Sequence, residues 1–327
     1  MLKALFVINP SSGRQNFLES IEKIISRLIM EQIVNHIDVV YTKKQNDARE
    51  AVIDLHDGDY DFITAIGGDG TINEVISGIA DGDSNIPIAI ISAGTVNDFA
   101  NYLNLPTEVE PFINMIKNFR TKKIDVGSIN GKIFMNVVAG GIATDVGYNV
   151  SKEMKAMFGK AAYYVEGMKE IPKQFFKPFK LKIESEEYND EAEYLLIMVT
   201  NSQSVGGYKQ AAPLASVSDG MLDVLLLRKM EVFQVSELLF RFLAGDHINS
   251  PAIEYFQTKA IKITSLDDNE MSIDYDGEYY GTLPADIHIL EGRINVIIPA
   301  TENASTASSP FPIVQHILDQ TQNQNKD

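Results

Sequence analysis

The first third of the chain alternates two hydrophobic rhythms. Lys3–Ile8 is a continuous apolar run of strand length, and from Asn16 to Ile33 apolar residues return at helical spacing, at Phe17, Ile21, Ile24, Ile25 and Leu28. The alternation repeats as a strand over His36–Tyr41, a helix over Asp47–Leu55, a strand over Phe62–Ile66 and a helix over Thr71–Ala80. A strand over Ile88–Ile91 then leads into a helix from about Val96. This order predicts a parallel sheet in an α/β domain spanning residues 1–124.

After Lys123 the rhythm changes. Short β-type runs follow at Ile133–Val138, Tyr194–Thr200, Leu222–Leu227, Ala260–Thr264, Ser272–Tyr275, Ala285–Leu290 and Ile294–Ile298. Turn residues separate them, notably Gly206-Gly207, Ser218-Asp219-Gly220 and Asp276-Gly277. Helical spacing is confined to Phe233–Leu243 and part of 151–170. The pattern predicts a β-rich, sandwich-like second domain over residues 125–294, with residues from about 295 to 318 returning to complete the first. Phe311–Leu318 is a candidate helix, and the polar residues 319–327 read as a disordered tail.

Composition narrows the function classes. The 327 residues carry a net charge of −17, which excludes the basic footprint of a nucleic-acid binder. One segment runs against that charge: residues 151–182 hold eight lysines against three glutamates, interleaved with Met154, Met157, Phe158, Tyr163, Tyr164, Met168, Phe175, Phe176 and Phe179. Lysines among apolar side chains suit an anionic membrane surface, and equally a solvated connection. No apolar run approaches the roughly 20 residues a spanning helix needs. The first apolar run lacks a cleavage site, so it reads as a strand rather than a signal peptide. With no cysteine for disulfides, thiol catalysis or a Cys-ligated zinc site, the expectation is a cytoplasmic protein.

Three turns carry candidate chemistry. In Gly67-Gly68-Asp69-Gly70-Thr71 an apolar strand meets glycines, an acid and then an apolar helix. Glycines let backbone N–H groups approach phosphate oxygens, the helix N-terminus favours anions, and Asp69 could face a metal on the same phosphates. Ser92-Ala93-Gly94-Thr95-Val96-Asn97-Asp98 follows the next strand, where Thr95 or Asn97 can also simply cap a helix. Asn9-Pro10-Ser11-Ser12-Gly13-Arg14 ends the first strand. All three lie at the carboxyl edge of the expected sheet, where α/β proteins bind ligands. Further on, Ser218-Asp219-Gly220 and Asp276-Gly277-Glu278 are hairpin-type turns bearing carboxylates.

Together these residues resemble the diacylglycerol kinase catalytic-domain family, which also contains sphingosine and ceramide kinases. The match runs from Asn9 to about Ile298. It rests on Gly67–Thr71 with Asn73-Glu74, on Gly94-Thr95-x-Asn97-Asp98-Phe99-Ala100, on Gly206-Gly207-Tyr208 with Ser218–Asp223, and on Asp274–Glu278. The first loop is shared with NAD kinases and phosphofructokinases; the second and last motifs separate the lipid kinases from them.

The resemblance implies an NAD kinase/phosphofructokinase-like fold and a kinase dependent on ATP and Mg²⁺, with diacylglycerol the first candidate acceptor. ATP would lie against Asn9, Pro10, Ser11, Ser12, Gly13, Thr42, Gly67, Gly68, Asp69, Gly70, Thr71, Asn73, Glu74, Thr95 and Asn97. Asp69, Asp98 and Asp219 would surround the catalytic Mg²⁺, and Ser216, Asp219 and Met221 would hold a second ion. The general base would be Asp276 or Glu278, with Arg14 a cation for the phosphates. The lipid implies peripheral contact with the inner membrane face, and a homodimer is compatible. This chain departs from the family pattern at Asn101, where Arg is usual, and at Glu166, where relatives can have lysine. Phosphorylation of a sphingoid base, another glycerolipid or NAD, or nucleotide or lipid binding without turnover, are the competing readings.

Overall fold

The computed structural model describes residues 1–12, 17–141, 177–208, 210–231, 234–268 and 270–300. Gly13, Arg14, the segment 151–176 with Glu166, Phe311–Leu318 and the tail 319–327 lie outside the described residues.

The α/β rhythm folds as expected. Strands β1 (Leu2–Ile8), β2 (Val34–Tyr41), β3 (Phe62–Gly67) and β4 (Ile88–Ser92) lie parallel in the order β2-β1-β3-β4. Strands β3 and β4 are buried along their whole length, which explains their unbroken apolar runs. Helix α1 (Phe17–Met30) buries Ile21, Ile24 and Leu28 at helical spacing, and α3 (Asp69–Asp81) buries Ile72, Val75, Ile76 and Ile79. Between them α2 is only Asp47–Glu50, with turns after it rather than a helix to Leu55. Helix α4 (Asp98–Tyr102) is equally short, and α5 (Val109–Asn118) follows.

Fifteen strands among the described residues form one branched sheet. The β-rich part comprises β5 (Arg120–Ile129), β6 (Lys132–Phe134), β7 (Val137–Gly141), β8 (Phe179–Ser185), β9 (Asn189–Thr200), β10 (Leu222–Arg228), β11 (Ile253–Thr258), β12 (Ala260–Ser265), β13 (Ser272–Tyr275), β14 (Glu278–Thr282) and β15 (Ala285–Ile298). Helix α6 (Val235–Ala244) is inserted between β10 and β11. The predicted runs Ala285–Leu290 and Ile294–Ile298 are a single strand, β15, whose register against β5 shifts between Leu290 and Ile294. Gly292, at φ 57°, sits in that bulge. The amino-terminal half of β15 pairs antiparallel with β12, whereas Val296 pairs parallel with Ile88 of β4. One strand therefore ties the two parts together, and Ile294, Val296, Ile297 and Ile298 share the core of β1, β3 and β4. A second core is built from β8, β9, β10, β12, β13 and β15, centred on Tyr194, Ile197, Val224, Ile263 and Ile287.

The run Ile133–Val138 is two strands, not one. It breaks at Met135–Asn136, where the backbone N–H groups leave the ladder and donate to the Asp276 carboxylate.

Candidate active site

The three expected turns meet at the carboxyl ends of β1, β3 and β4. Backbone bonds from Asn9 N–H to the Ile66 carbonyl (2.9 Å) and from Ala93 N–H to the Gly67 carbonyl (2.7 Å) set them side by side. The first turn then clamps the second. Asn9 Nδ2 donates to Thr71 Oγ1 at 2.9 Å, and Ser12 Oγ accepts the Gly68 N–H at 3.3 Å. Asn9 Oδ1 also accepts the Ser11 N–H, closing the turn on itself, with Pro10 exposed at its tip. Close approach explains two of the glycines. A Cβ on Gly67 would stand 2.6 Å from Thr71 Cβ, and one on Gly94 would stand 3.0 Å from Gly68 Cα.

Asp69 opens α3. Its Oδ2 accepts the Asn97 N–H at 2.9 Å, while its Oδ1 is buried with no hydrogen-bond partner among the described residues. Burial pushes its carboxyl up from the ordinary range, and the nearby Asp98 charge adds to this. Asn97 sits in the left-handed region (φ 55°) and donates its amide to the Gly94 carbonyl, while Thr95 is exposed in the same turn. Asp98 is buried and faces the other way. It accepts Ser204 Oγ–H and the Gly207 N–H (3.2 Å), so it anchors the Gly206-Gly207 turn.

A cavity of about 350 Å³ opens over this loop, lined by Asn9, Ser11, Ser12, Thr42, Gly68, Gly70, Thr71, Glu74 and Glu278, and also by Lys43, Lys44 and Gln45. A second, of about 550 Å³, shares Gln45, Gly70, Glu74 and Glu278 and continues past Asn73 and Ser77 to Lys132 and Tyr275. Glu74 is held in place, accepting the Asn46 N–H (2.9 Å) and the Ala48 N–H (3.2 Å) at the start of α2.

The two carboxylates of the Asp276–Glu278 turn differ sharply. Asp276, left-handed at φ 48°, accepts four donors: the N–H groups of Met135 (2.6 Å), Asn136 (2.8 Å) and Val137 (3.0 Å), and Asn73 Nδ2 (2.7 Å). Burial pushes this carboxyl up while the donors oppose it. Asn73 is itself oriented by Ser77, whose hydroxyl donates to Asn73 Oδ1. Glu278 is exposed and borders both cavities.

Asp219 stands apart from Asp69 in its contacts. It is exposed, accepts the Met221 N–H (3.1 Å) in its own turn and the Gln257 amide at 3.4 Å, and lies near Asp223. Ser216 is half-buried in the same turn. Among the described residues no three His, Cys, Asp or Glu side chains cluster as a ready metal site. The unpartnered Asp69 Oδ1 nevertheless fits a divalent cation delivered with phosphates, because Mg²⁺ commonly takes one or two carboxylates and completes its shell with phosphate and water oxygens.

Residue patterns missed several participants. Buried Asp125 accepts the Gly220 N–H (2.7 Å) and the Gly292 N–H (2.6 Å), joining the Ser218–Gly220 turn to the β15 bulge. Arg293 donates to the carbonyls of Ile79, Ala80, Gly82 and Ser84, closing the carboxyl end of the helix that Asp69 begins. Neither has a local signal. Lys43 and Lys44 had one, their adjacency to Thr42.

Residues 3–129 match the family model for the diacylglycerol kinase catalytic domain, and residues 136–298 match that for a YegS C-terminal NAD kinase beta sandwich-like domain. A diacylglycerol kinase of Bacillus subtilis (strain 168) is 34% identical over 300 residues, covering 91% of this chain and 97% of that protein. One from Staphylococcus aureus (strain MRSA252) is 32% identical over 298 residues, covering 91% and 92%. The crystal structure of a diacylglycerol kinase from Bacillus anthracis str. Sterne superposes with a TM-score of 0.71 at 26% identity, over 91% of this chain and 97% of that one.

Proposed function

The chain belongs to the diacylglycerol kinase family and is a lipid kinase, and from that premise we propose that it transfers the γ-phosphate of ATP to the free hydroxyl of diacylglycerol, giving phosphatidic acid. The observation that carries this reading is the wall common to the two cavities. Gly70 and Glu74 of the phosphate loop and Glu278 of the β-rich part border both. The phosphates lie over Gly67–Thr71 at the α3 N-terminus, with Asn9, Ser12 and Thr42 around them.

Glu278 is the proposed general base. Both oxygens of Asp276 are already occupied by N–H donors, whereas Glu278 is exposed and free to take the proton of an attacking hydroxyl. Asp276 positions it by fixing the turn two residues upstream. Asp69, through Oδ1, would hold Mg²⁺, which when bound offsets charge on the transferring phosphate. Asn73, bonded to Asp276 from α3, registers the base against the loop. Among the described residues no helix is long and apolar enough to cross a membrane. The proposed contact with the lipid surface is peripheral, through the lysines and aromatics of residues 151–182.

The test is radiolabelled ATP with a panel of diacylglycerol, sphingoid bases and other lipid alcohols in micelles, alongside NAD. Labelled phosphatidic acid is the expected product; label in another lipid would move the acceptor, and label in no lipid would sink the reading. Glu278→Gln is expected to lower kcat by about a hundred- to ten-thousandfold. A kcat within a few-fold of wild type would return the base to another carboxylate.

A further inference from the structure

One cation that the resemblance leads one to expect near the phosphate loop is replaced in this chain. Asn101 stands where arginine is usual, and its side chain donates to the Val96 carbonyl (2.8 Å) and lines a different cavity, with Asn104, Leu105 and Pro106. The carboxylates bordering the phosphate-loop cavity are Glu74 and Glu278. A triphosphate brings several negative charges into that setting, and the N–H groups of one helix end offset only part of them.

We propose that Lys43 and Lys44 supply positive charge to the nucleotide phosphates in this chain. Both are exposed, and both line the cavity with Asn9, Ser12, Gly68 and Thr71. Their backbone is fixed: the N–H groups of Lys43 and Lys44 both donate to Asp47 Oδ2, at 2.7 and 3.1 Å. The next residues are pinned in turn by Glu74, which accepts the Asn46 and Ala48 N–H groups from within α3. The lysine turn is thus locked to the helix that begins at the phosphate loop, while both lysines are exposed. Lys44 Nζ stands 3.8 Å from Asp47 Oδ1, at the long limit of an ion pair, so an incoming phosphate competes with a weak partner. A lysine ammonium is a compact point charge on a flexible stem, suited to following a phosphate chain.

This inference rests on the ATP reading, and calorimetric titration separates the two. ADP and AMP are titrated into the full chain at low and moderate salt, for wild type, Lys43→Ala, Lys44→Ala, the double alanine variant and the double arginine variant. ADP affinity is expected to fall about tenfold for each lysine removed, the scale of one hydrogen bond to a charged group. AMP affinity should fall less, the salt dependence should flatten in the double alanine variant, and arginine should restore most of the ADP affinity. Wild type binding neither nucleotide would overturn the ATP reading and this inference with it. Wild type binding ADP, with the double alanine variant binding it equally well, would overturn the lysine assignment alone. Melting curves of each variant confirm that the comparison is between folded proteins.

Discussion

The Gly67–Thr71 loop and the Asp276–Glu278 turn face each other across one cleft, yet they are held by opposite means. Gly67–Thr71 is shaped by its neighbours in sequence and by two adjoining turns. Its strand ends, its helix begins, and glycines allow the backbones to touch. The turn at Asp276 is held by groups more than 130 residues away, three N–H donors of Met135–Val137 and the amide of Asn73. The first region tolerates no added volume at Gly67. The second tolerates no lost acceptor. A catalytic cleft can therefore be precise on both sides while only one side leaves a recognisable local pattern.

The sharpest way to break this comparison is to remove the acceptor. Asp276→Ala strands three backbone donors and one amide where the chain leaves its ladder, and should cost about 3–4 kcal/mol of stability, at about 1–3 kcal/mol for each buried group left unpaired with partial relaxation. Denaturant midpoints measure it, and a loss below about 1 kcal/mol would show that the turn is not held as described. On the facing side, Gly67→Ala places a methyl 2.6 Å from Thr71 Cβ and pushes the threonine off Asn9. Overpacking of this kind costs about 1–3 kcal/mol. The KM for ATP should rise with it, because Thr71 belongs to the loop. An alanine variant with wild-type stability and KM would mean that the loop is looser than its contacts imply.

The same contrast explains what could be read from residue order. The parallel α/β part announced itself because β3 and β4 are buried continuously, β1 is buried from Ala4 to Ile8, and α1 and α3 carry clean apolar stripes. The loops at their ends were legible for the same local reason. Other elements were hidden by competing signals. Strand β8 alternates Phe179, Leu181 and Ile183 with lysines, a period-two pattern absorbed by reading 151–182 as one basic–aromatic segment. Strand β5 begins with charged residues, and α5 carries Pro111 in its first turn, which is harmless there but reads as a break. The Ile133–Val138 break and the β15 bulge depend on Asp276 and Asp125, partners that no local window contains. The same holds for choosing between Asp276 and Glu278, which spacing left open and the hydrogen-bond partners of Asp276 bear upon.

The smallest effect is the most specific probe of the β-rich side. Asp274 lies two residues before Asp276 on β13, and burial, helped by the Asp276 charge, pushes its carboxyl up from 3.8 to about 6. A raised carboxylate pKa means that the folded state binds the proton more tightly than the unfolded chain does. Its stabilising contribution is then complete below the unfolded value and is lost as pH rises through about 6. At neutral pH the fold carries an ionised Asp274 at a cost. At 1.36 kcal/mol per unit the shift corresponds to about 3 kcal/mol, and partial solvent access reduces this to about 1–2 kcal/mol. Asp274→Asn removes the ionisation and keeps the shape. It should be more stable than wild type by that amount at pH 7.5 and no more stable near pH 4, as measured by unfolding at both pH values. An advantage equal at both would point to packing, and no advantage at pH 7.5 would mean that the Asp276 donors neutralise the site far better than the burial of Asp274 suggests.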